Sequence, residues 1–348
     1  MRSIGDGNPC FITFEAGPTH TSLETAKRLA SLAAEAGADA IKFQIIDADR
    51  LVADKKQMFS YDILVDRATS ETKTISEPLY EILRRRMLTE KEWRELKRHC
   101  DALSLAFFGT VTFEDELALI TDMRCDTVKI ASADVNHYPF LREAARSGLN
   151  VQIDTGNSAI GEVEAAVDLL REEGCTDVIV HHCPPGYPAV PSAVNLRVIP
   201  TLKRLFGLPV AYSDHSPGWD MMIAAVTLGA NLIEKTITFD RTTHSPEHMF
   251  SLEPDDAKKF VKAIRTVEQA LGGSRRIMTT EERKRRNAVR RSVFLAEDCA
   301  AGTVLAGAPV EFRRPGWGMG PDEFERLSTL KLRRALPKGH MLTYADLE

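Results

Sequence analysis

Residues 10–44, CFITFEAGPTHTSLETAKRLASLAAEAGADAIKFQ, carry a complete structural unit. The apolar run CFITFEA (10–16) reads as a strand. SLETAKRLASLAAEAG follows as an amphipathic, Ala-rich helix that stops at a glycine, the residue suited to a left-handed helix cap, and DAIKFQ (39–44) is a second short strand. Strand, helix and strand at this spacing make the βα unit of a parallel sheet covered by helices.

The pattern recurs along the chain. LAFFGT (105–110), TVKIA (127–131), NVQIDT (150–155), DVIVHH (177–182), PVAYSD (209–214) and NLIEKT (231–236) bring the predicted strands to eight. EKEWRELKRHCDAL, AIGEVEAAVDLLREEG, SAVNLRVIPTLKRLFG and DDAKKFVKAIRTVEQALGG are helical stretches of the same series. Eight βα units in residues 1–272 predict a TIM (β/α)8 barrel. An open doubly wound sheet would usually carry a glycine-rich phosphate fingerprint after its first strand, and none is present. The long segment from Asp47 to Pro78 interrupts the spacing and is expected to be a loop forming a lid or edge of the active site.

Beyond Gly272 the chain turns basic, and residues 273–290 read as a linker. Residues 291–348, with short alternating runs broken by Gly and Pro, suggest a small β-rich module. A segment of that length is marginal alone, so it is expected to lean on the barrel or on a second subunit.

The 348 residues hold 45 Lys and Arg against 50 Asp and Glu, a net charge of −5. That balance argues against a general nucleic-acid or membrane-surface protein, so any anion must be bound locally. Six cysteines without a CxxC pair or zinc-like spacing suit a reduced protein. With no apolar run near 18 residues and no signal-like start, a cytoplasmic location is expected.

A barrel gathers its chemistry at the C-terminal ends of its strands, where residues two apart share a face. Polar residues collect there: Glu15, Lys42 and Gln44, Thr110, Lys129, Asp154, His182, Ser213 and His215, and Glu234 with Thr236. Any one of them is as well explained by a structural pairing; their coincidence at eight strand ends is not. Two lysines inside otherwise apolar strands are costly to bury unless they meet anions, which predicts a pocket for phosphate or carboxylate. Glu15 and Glu234 are candidates for acid/base work, and His215 for a metal ligand or a general acid.

At these residues the chain resembles the sialic acid (N-acetylneuraminate) synthases, including the spore coat polysaccharide protein E branch. The likeness rests on FEAGPTHTSLETAKRLASLAAEAGADAIKFQ, KIASADVNHYPFL, AYSDHSPG and IEKTITFDR, and the C-terminal segment resembles the antifreeze-like SAF module that follows the barrel in those enzymes. The resemblance implies condensation of phosphoenolpyruvate with the open-chain aldehyde of an N-acyl hexosamine. The products would be a nine-carbon 2-keto-3-deoxy acid, used in surface polysaccharide, and phosphate. It implies that Lys42, Lys129, Thr110, Ser132 and Ser213 hold phosphoenolpyruvate and that Gln44 and Tyr187 shape the pocket. It further implies that His215 helps bind a divalent metal, Mn2+ or Mg2+, that polarises the aldehyde, while Glu15 and Glu234 orient substrate and move protons. Arg314, in FRRPGWG, matches a SAF-module arginine that in the family reaches into the partner's barrel, which implies a domain-swapped homodimer.

Several positions depart from the family pattern. Thr236 stands where a second metal-binding histidine is expected, and a hydroxyl is the poorer ligand. Pro185 replaces a substrate-contacting asparagine, Asp154 a serine, Asp134 a glutamate and Thr19 an asparagine, while His20 is retained. Three readings accommodate these changes: a different sugar with a metal site rearranged around His182, His244 or His248; a related acceptor with a weakly held metal; or a barrel that binds a sugar or phosphorylated ligand without turnover. A synthase acting on a shorter sugar phosphate is the other enzyme class considered.

Overall fold

The structure, a computed structural model, describes residues 2–348. Eight strands close into a parallel barrel: β1 (Phe11–Glu15), β2 (Ala40–Gln44), β5 (Ala106–Thr110), β6 (Thr127–Ile130), β7 (Asn150–Asp154), β8 (Val178–His182), β9 (Val210–Asp214) and β10 (Leu232–Thr236). The intervening β3 (Met58–Asp66) and β4 (Glu71–Pro78) form a separate two-stranded sheet. Round the barrel the order is β1, β10, β9, β8, β7, β6, β5, β2, so β1 and β10 close the ring, with Thr13 level with Glu234. This is a TIM barrel, and every predicted barrel strand is present.

Local chemistry sets the helices. Ser22 and Thr25 form a reciprocal cap before Leu23–Ala36, and Gly37 ends that helix with φ 85°. Thr89 and Glu92 cap Glu90–Ala102 in the same way. SAVNLRVIPTLKRLFG, expected as one helix, is divided into Pro191–Val194 and Val198–Phe206, because Asn195 between them takes φ 51° in the left-handed region. The segment expected to be a loop after β2 is instead structured. It contains a short helix, Ala48–Leu51, and the β3–β4 hairpin, whose Tyr61 and Ile63 make a small apolar cluster with Ile82 of the helix that follows, Leu79–Arg84.

Inside the barrel, Phe11, Ala40, Phe108, Ile179, Ala211 and Leu232 form an apolar plug toward the N-terminal ends of the strands. Outside it, alternate residues of the same strands pack against the helices in the main core. Lys235 and Asp214 are fully buried on the face opposite Glu234 and Ser213, and form an ion pair of 2.7 Å. Asp214 also accepts from the Tyr212 hydroxyl at 2.9 Å and from the Ser216 backbone and hydroxyl at 3.0 and 2.7 Å. Burial depresses the Lys235 ammonium pKa despite Asp214, so the pair survives only because both partners are satisfied.

The chain divides into two compact units between Gly272 and Gly273. Within the second unit the segment expected to be a linker contains a helix, Thr280–Val289, capped by Thr279 and Glu282. Strands β11 (Ser292–Leu295) and β12 (Val310–Arg313) pair antiparallel, and further isolated bridges tie later segments together. Val293, Leu295, Leu305, Met319, Leu332 and Leu342 belong to this unit's own apolar core. All six cysteines are buried and unpaired. No described helix is long and apolar enough to cross a membrane.

Removing one member of a buried ion pair strands the other charge, at a cost of roughly 3–5 kcal/mol. Asp214→Ala is therefore expected to lower the stability of the barrel by about that amount, read from its denaturant midpoint. A loss below about 1 kcal/mol would mean that Lys235 finds water or another anion.

Candidate functional site

A cavity of about 230 Å³ opens at the C-terminal ends of the strands. Its lining includes Glu15, Lys42, Gln44, Thr110, Lys129, Ser132, Asp154, Tyr187, Ser213, His215 and Glu234, so all of the sequence-predicted site residues of the barrel except His182 and Thr236 meet there. Thr236 is buried at the end of β10, and Asp134 also lines the cavity. Arg314 belongs to the second unit, exposed directly after β12.

The centre of the site is Glu234. Its Oε1 accepts from Lys42 Nζ and from Lys129 Nζ, both at 2.8 Å. Lys42 also lies against Glu15, and Lys129 sits 3.1 Å from Asp154 Oδ2 and 3.1 Å from Ser213 Oγ. Burial pushes the Glu234 carboxyl up, but Lys129 and Lys42 outweigh it and hold this group well below the ordinary carboxylate range. At Glu15 and Asp154 burial wins over the lysines, and both carboxyls are raised. Lys42 is desolvated too, yet Glu15 and Glu234 hold its ammonium well above the usual value.

Gly17 is required for this arrangement: a Cβ there would stand 2.5 Å from Glu15 Oε1 and 2.8 Å from the Gln44 backbone nitrogen. Its N–H donates to Glu15 Oε1 at 2.5 Å, which turns that carboxylate toward the pocket.

Below the lysines a buried chain of hydrogen bonds fixes the protons. Asn150 donates Nδ2–H to the Asp177 carbonyl at 2.8 Å, leaving Asn150 Oδ1 to accept from Thr127 at 2.7 Å. Thr127 Oγ1 can then only accept from Gln152 Nε2, at 3.1 Å, so Gln152 Oε1 faces His181 Nε2 at 2.8 Å. That nitrogen carries the imidazole proton, and Nδ1 accepts from Ser213 Oγ at 2.9 Å. Burial first, then Lys129, depress the His181 pKa well below the usual range and keep the ring neutral.

His182 corrects the sequence expectation. Being one residue on from His181, it points to the opposite face, where Nε2 bonds the Val194 carbonyl at 2.6 Å and the ring stacks on Tyr212. His248 is also committed, to Thr238 at 2.7 Å, and His244 is exposed. His20 is buried between the carbonyls of Ala16 and Arg86, at 3.0 and 2.8 Å, against Phe43 and Trp93, and so serves packing. Thr19 ties its turn to the Ile237 carbonyl at 2.7 Å.

His215 differs from these histidines. Its ring packs against Tyr187 and Phe250 with centroids 4.6 and 6.0 Å away, and its buried Nδ1 has no hydrogen-bond partner. Burial lowers its pKa to about 4, so it presents a neutral nitrogen donor at neutral pH. Among the described residues no group of three or more His, Cys, Asp and Glu side chains is arranged to enclose a metal ion. What the site offers a cation here is the single unpartnered imidazole nitrogen of His215.

Sequence reading missed Gln152, His181, Glu247 and Arg86. Gln152 was within reach, because it lies two residues before Asp154 on the same face. Glu247 lines the pocket from the loop after β10 with φ 74°, and Arg86 is buried with Nη2 unpartnered; neither lies in a periodic element that would have flagged it. A wider cavity, about 940 Å³, opens among residues that precede the strands. Its Arg2, Asp39, Arg265 and Glu268 are already paired with one another, consistent with the stabilising role of that end of a barrel.

Burial, with Glu15 nearby, pushes the Glu247 carboxyl from 4.5 to about 7 against the pull of Arg86. The folded protein thus holds this proton more tightly than the unfolded chain. The resulting stability is fully present below about pH 4.5 and is lost as pH rises through about 7. Glu247→Gln should match the wild-type unfolding temperature near pH 4.5 and exceed it at about pH 8 in parallel thermal melts. A variant less stable at the higher pH would show that the charged form is the favoured one.

The geometry has counterparts among known proteins. The NeuB family model matches residues 29–276. The chain is 32% identical to the N,N'-diacetyllegionaminic acid synthase of Legionella pneumophila, covering 100% of this chain and 97% of that protein. Among solved structures, the N-acetylneuraminic acid synthetase of Leptospira borgpetersenii, in complex with citrate, superposes with a TM-score of 0.70 at 30% identity. That match covers 82% of this chain and 94% of the other. The spore coat polysaccharide biosynthesis protein SpsE of Bacillus subtilis superposes with a TM-score of 0.65 at 30% identity, covering 99% and 97%.

Proposed function

The chain belongs to the NeuB family, and we propose that it is a nonulosonic acid synthase that condenses phosphoenolpyruvate with the open-chain aldehyde of an N-acyl hexosamine. One water adds at C2 of phosphoenolpyruvate as its C–O bond to phosphate breaks, and the products are a sialic-acid-type nine-carbon 2-keto-3-deoxy acid, destined for surface polysaccharide, and phosphate. The observation that carries this reading is the convergence of Lys42 and Lys129 on one carboxylate at the floor of a small polar pocket. Two fixed cations ringed by the hydroxyls of Thr110, Ser132 and Ser213 suit a compact, multiply charged anion.

At about 230 Å³ the cavity is smaller than the roughly 300–1,000 Å³ typical of sites that enclose a larger ligand. It has room for the small acid, and the acceptor sugar lies toward the mouth, beside Gln44 and the exposed Tyr187. Glu15 and Glu234 orient the substrates, and a carboxyl there supplies the proton that the aldehyde oxygen gains on becoming a hydroxyl. A divalent ion, Mn2+ or Mg2+, would take His215 as its protein ligand and supply Lewis-acid polarisation of that aldehyde. With Thr236 in place of a second imidazole, the ion is weakly held. Arg314 of a second copy completes the acceptor end of the site, which makes the active form a domain-swapped homodimer.

Phosphate release from phosphoenolpyruvate with a panel of N-acyl hexosamines, with and without Mn2+, tests the reading directly. Wild type should release phosphate with at least one sugar, and Lys129→Ala should weaken phosphoenolpyruvate binding by at least about tenfold while remaining folded, since a charge-assisted contact is lost. No release with any sugar would overturn the assignment.

Mixing Arg314→Ala with Glu234→Gln chains tests the shared site. Each variant alone should be nearly inactive, and subunit exchange should restore part of the activity. Absence of rescue in demonstrably mixed dimers would place Arg314 in its own chain's site.

A further inference from the structure

Five carboxyl groups line the pocket, Glu15, Asp134, Asp154, Glu234 and Glu247, against the two ammonium groups of Lys42 and Lys129. Lys42 and Lys129 face Glu15, Glu234 and Asp154, while His181 and His215 are kept neutral by burial. Lys129 has three N–H groups and three partners, Glu234 at 2.8 Å, Ser213 at 3.1 Å and Asp154 at 3.1 Å. An incoming anion can reach this ammonium only by displacing one of them.

The hydrogen-bond chain from the Asp177 carbonyl decides which. Ser213 spends its proton on His181 Nδ1, so its 3.4 Å contact with Asp154 Oδ1 carries no donated hydrogen. His181 Nδ1, 3.6 Å from the same oxygen, is unprotonated and offers none either. Glu234 is anchored by two lysines, whereas among the described residues the Asp154 carboxylate has Lys129 as its one charged donor. The other groups facing Asp154 are the Cys183 thiol, the Tyr187 hydroxyl, the Glu234 charge and the more distant Lys42. Of these only Lys42 favours its ionised form.

We propose that Asp154 is a proton-coupled gate for the anion: when a phosphate or carboxylate takes Lys129, Asp154 binds one proton and turns from a competing anion into a hydrogen-bond donor to the ligand. No covalent bond changes, and the proton comes from solvent. Burial already raises the Asp154 carboxyl, which lowers the cost of that uptake. Asp154 is in this sense a specificity-determining residue, because it admits oxyanions that can accept its hydrogen bond and makes their affinity depend on pH. The proposal rests on the synthase reading only for the identity of the anion.

Titration calorimetry in two buffers of different ionisation enthalpy measures protons taken up per anion bound. The probes are phosphoenolpyruvate and sulfate, the latter keeping its own charge across the range. For wild type the uptake should exceed that of Asp154→Asn by close to one proton with either probe. Above the Asp154 pKa the wild-type affinity for sulfate should fall by about tenfold per pH unit while the variant stays flat. Asp154→Ser, which is also uncharged, should behave as the Asn variant and guards against a folding defect in either one. Equal uptake in wild type and both variants, or no binding of either anion by any of them, would overturn the gate. Proton-coupled sulfate binding with no binding of phosphoenolpyruvate would leave the gate standing and remove the synthase assignment instead.

Discussion

One carboxylate holds the site together. Glu234 on β10 accepts from Lys129 on β6 and from Lys42 on β2. In the ring order β10 and β6 lie four strands apart, on opposite sides of the barrel, so the Glu234–Lys129 contact spans its interior. Three charges are thereby buried in a space otherwise plugged with apolar side chains, where each unpaired ion would cost several kcal/mol. The pairing makes the burial tolerable, and it fixes two ammonium groups in place with no reorganisation needed when an anion arrives.

The same economy explains the surrounding residues. The ladder from Asn150 through Thr127, Gln152 and His181 to Ser213 links the polar side chains of β6 to β9 between the apolar plug and the lysines, and it assigns a direction to each proton. That direction leaves Asp154 with Lys129 as its one charged donor among the described residues. A pocket lined by five carboxyl groups and two lysines is poorly suited to an anion unless a carboxylate beside the lysines can be neutralised, and the hydrogen-bond polarity singles out which one. On the opposite faces of the same strands, Asp214 and Lys235 solve the same problem by mutual satisfaction and take no part in the pocket.

The barrel was legible because its signal is local and repeated: short apolar runs recur eight times, with amphipathic helical stretches between them, several of which stop at a glycine. The strand-end residues were legible through a period of two, which correctly placed Lys42 with Gln44 and Glu234 on the interior. The same rule misassigned β8, because two adjacent histidines both sit at the strand end and a one-residue step reverses the face. The β3–β4 hairpin was read as a loop because most of its residues are polar and exposed, so a two-stranded ribbon leaves little hydrophobic pattern. Glu247 and Arg86 reach the site region from segments without periodicity, and nothing in the residues around them announces it.

By itself the sequence determined the barrel, the inward face of every strand but β8 and the family to which those strand ends belong, since all three follow from spacing along the chain. Only the tertiary structure decided which charges meet: that Glu234 is shared by two lysines, that His181 and not His182 faces inward, and that Asp154 has one charged donor among the described residues. The physical reason is that a buried charge takes its state from neighbours a few ångströms away, and in a closed barrel those neighbours come from strands up to 192 residues distant along the chain.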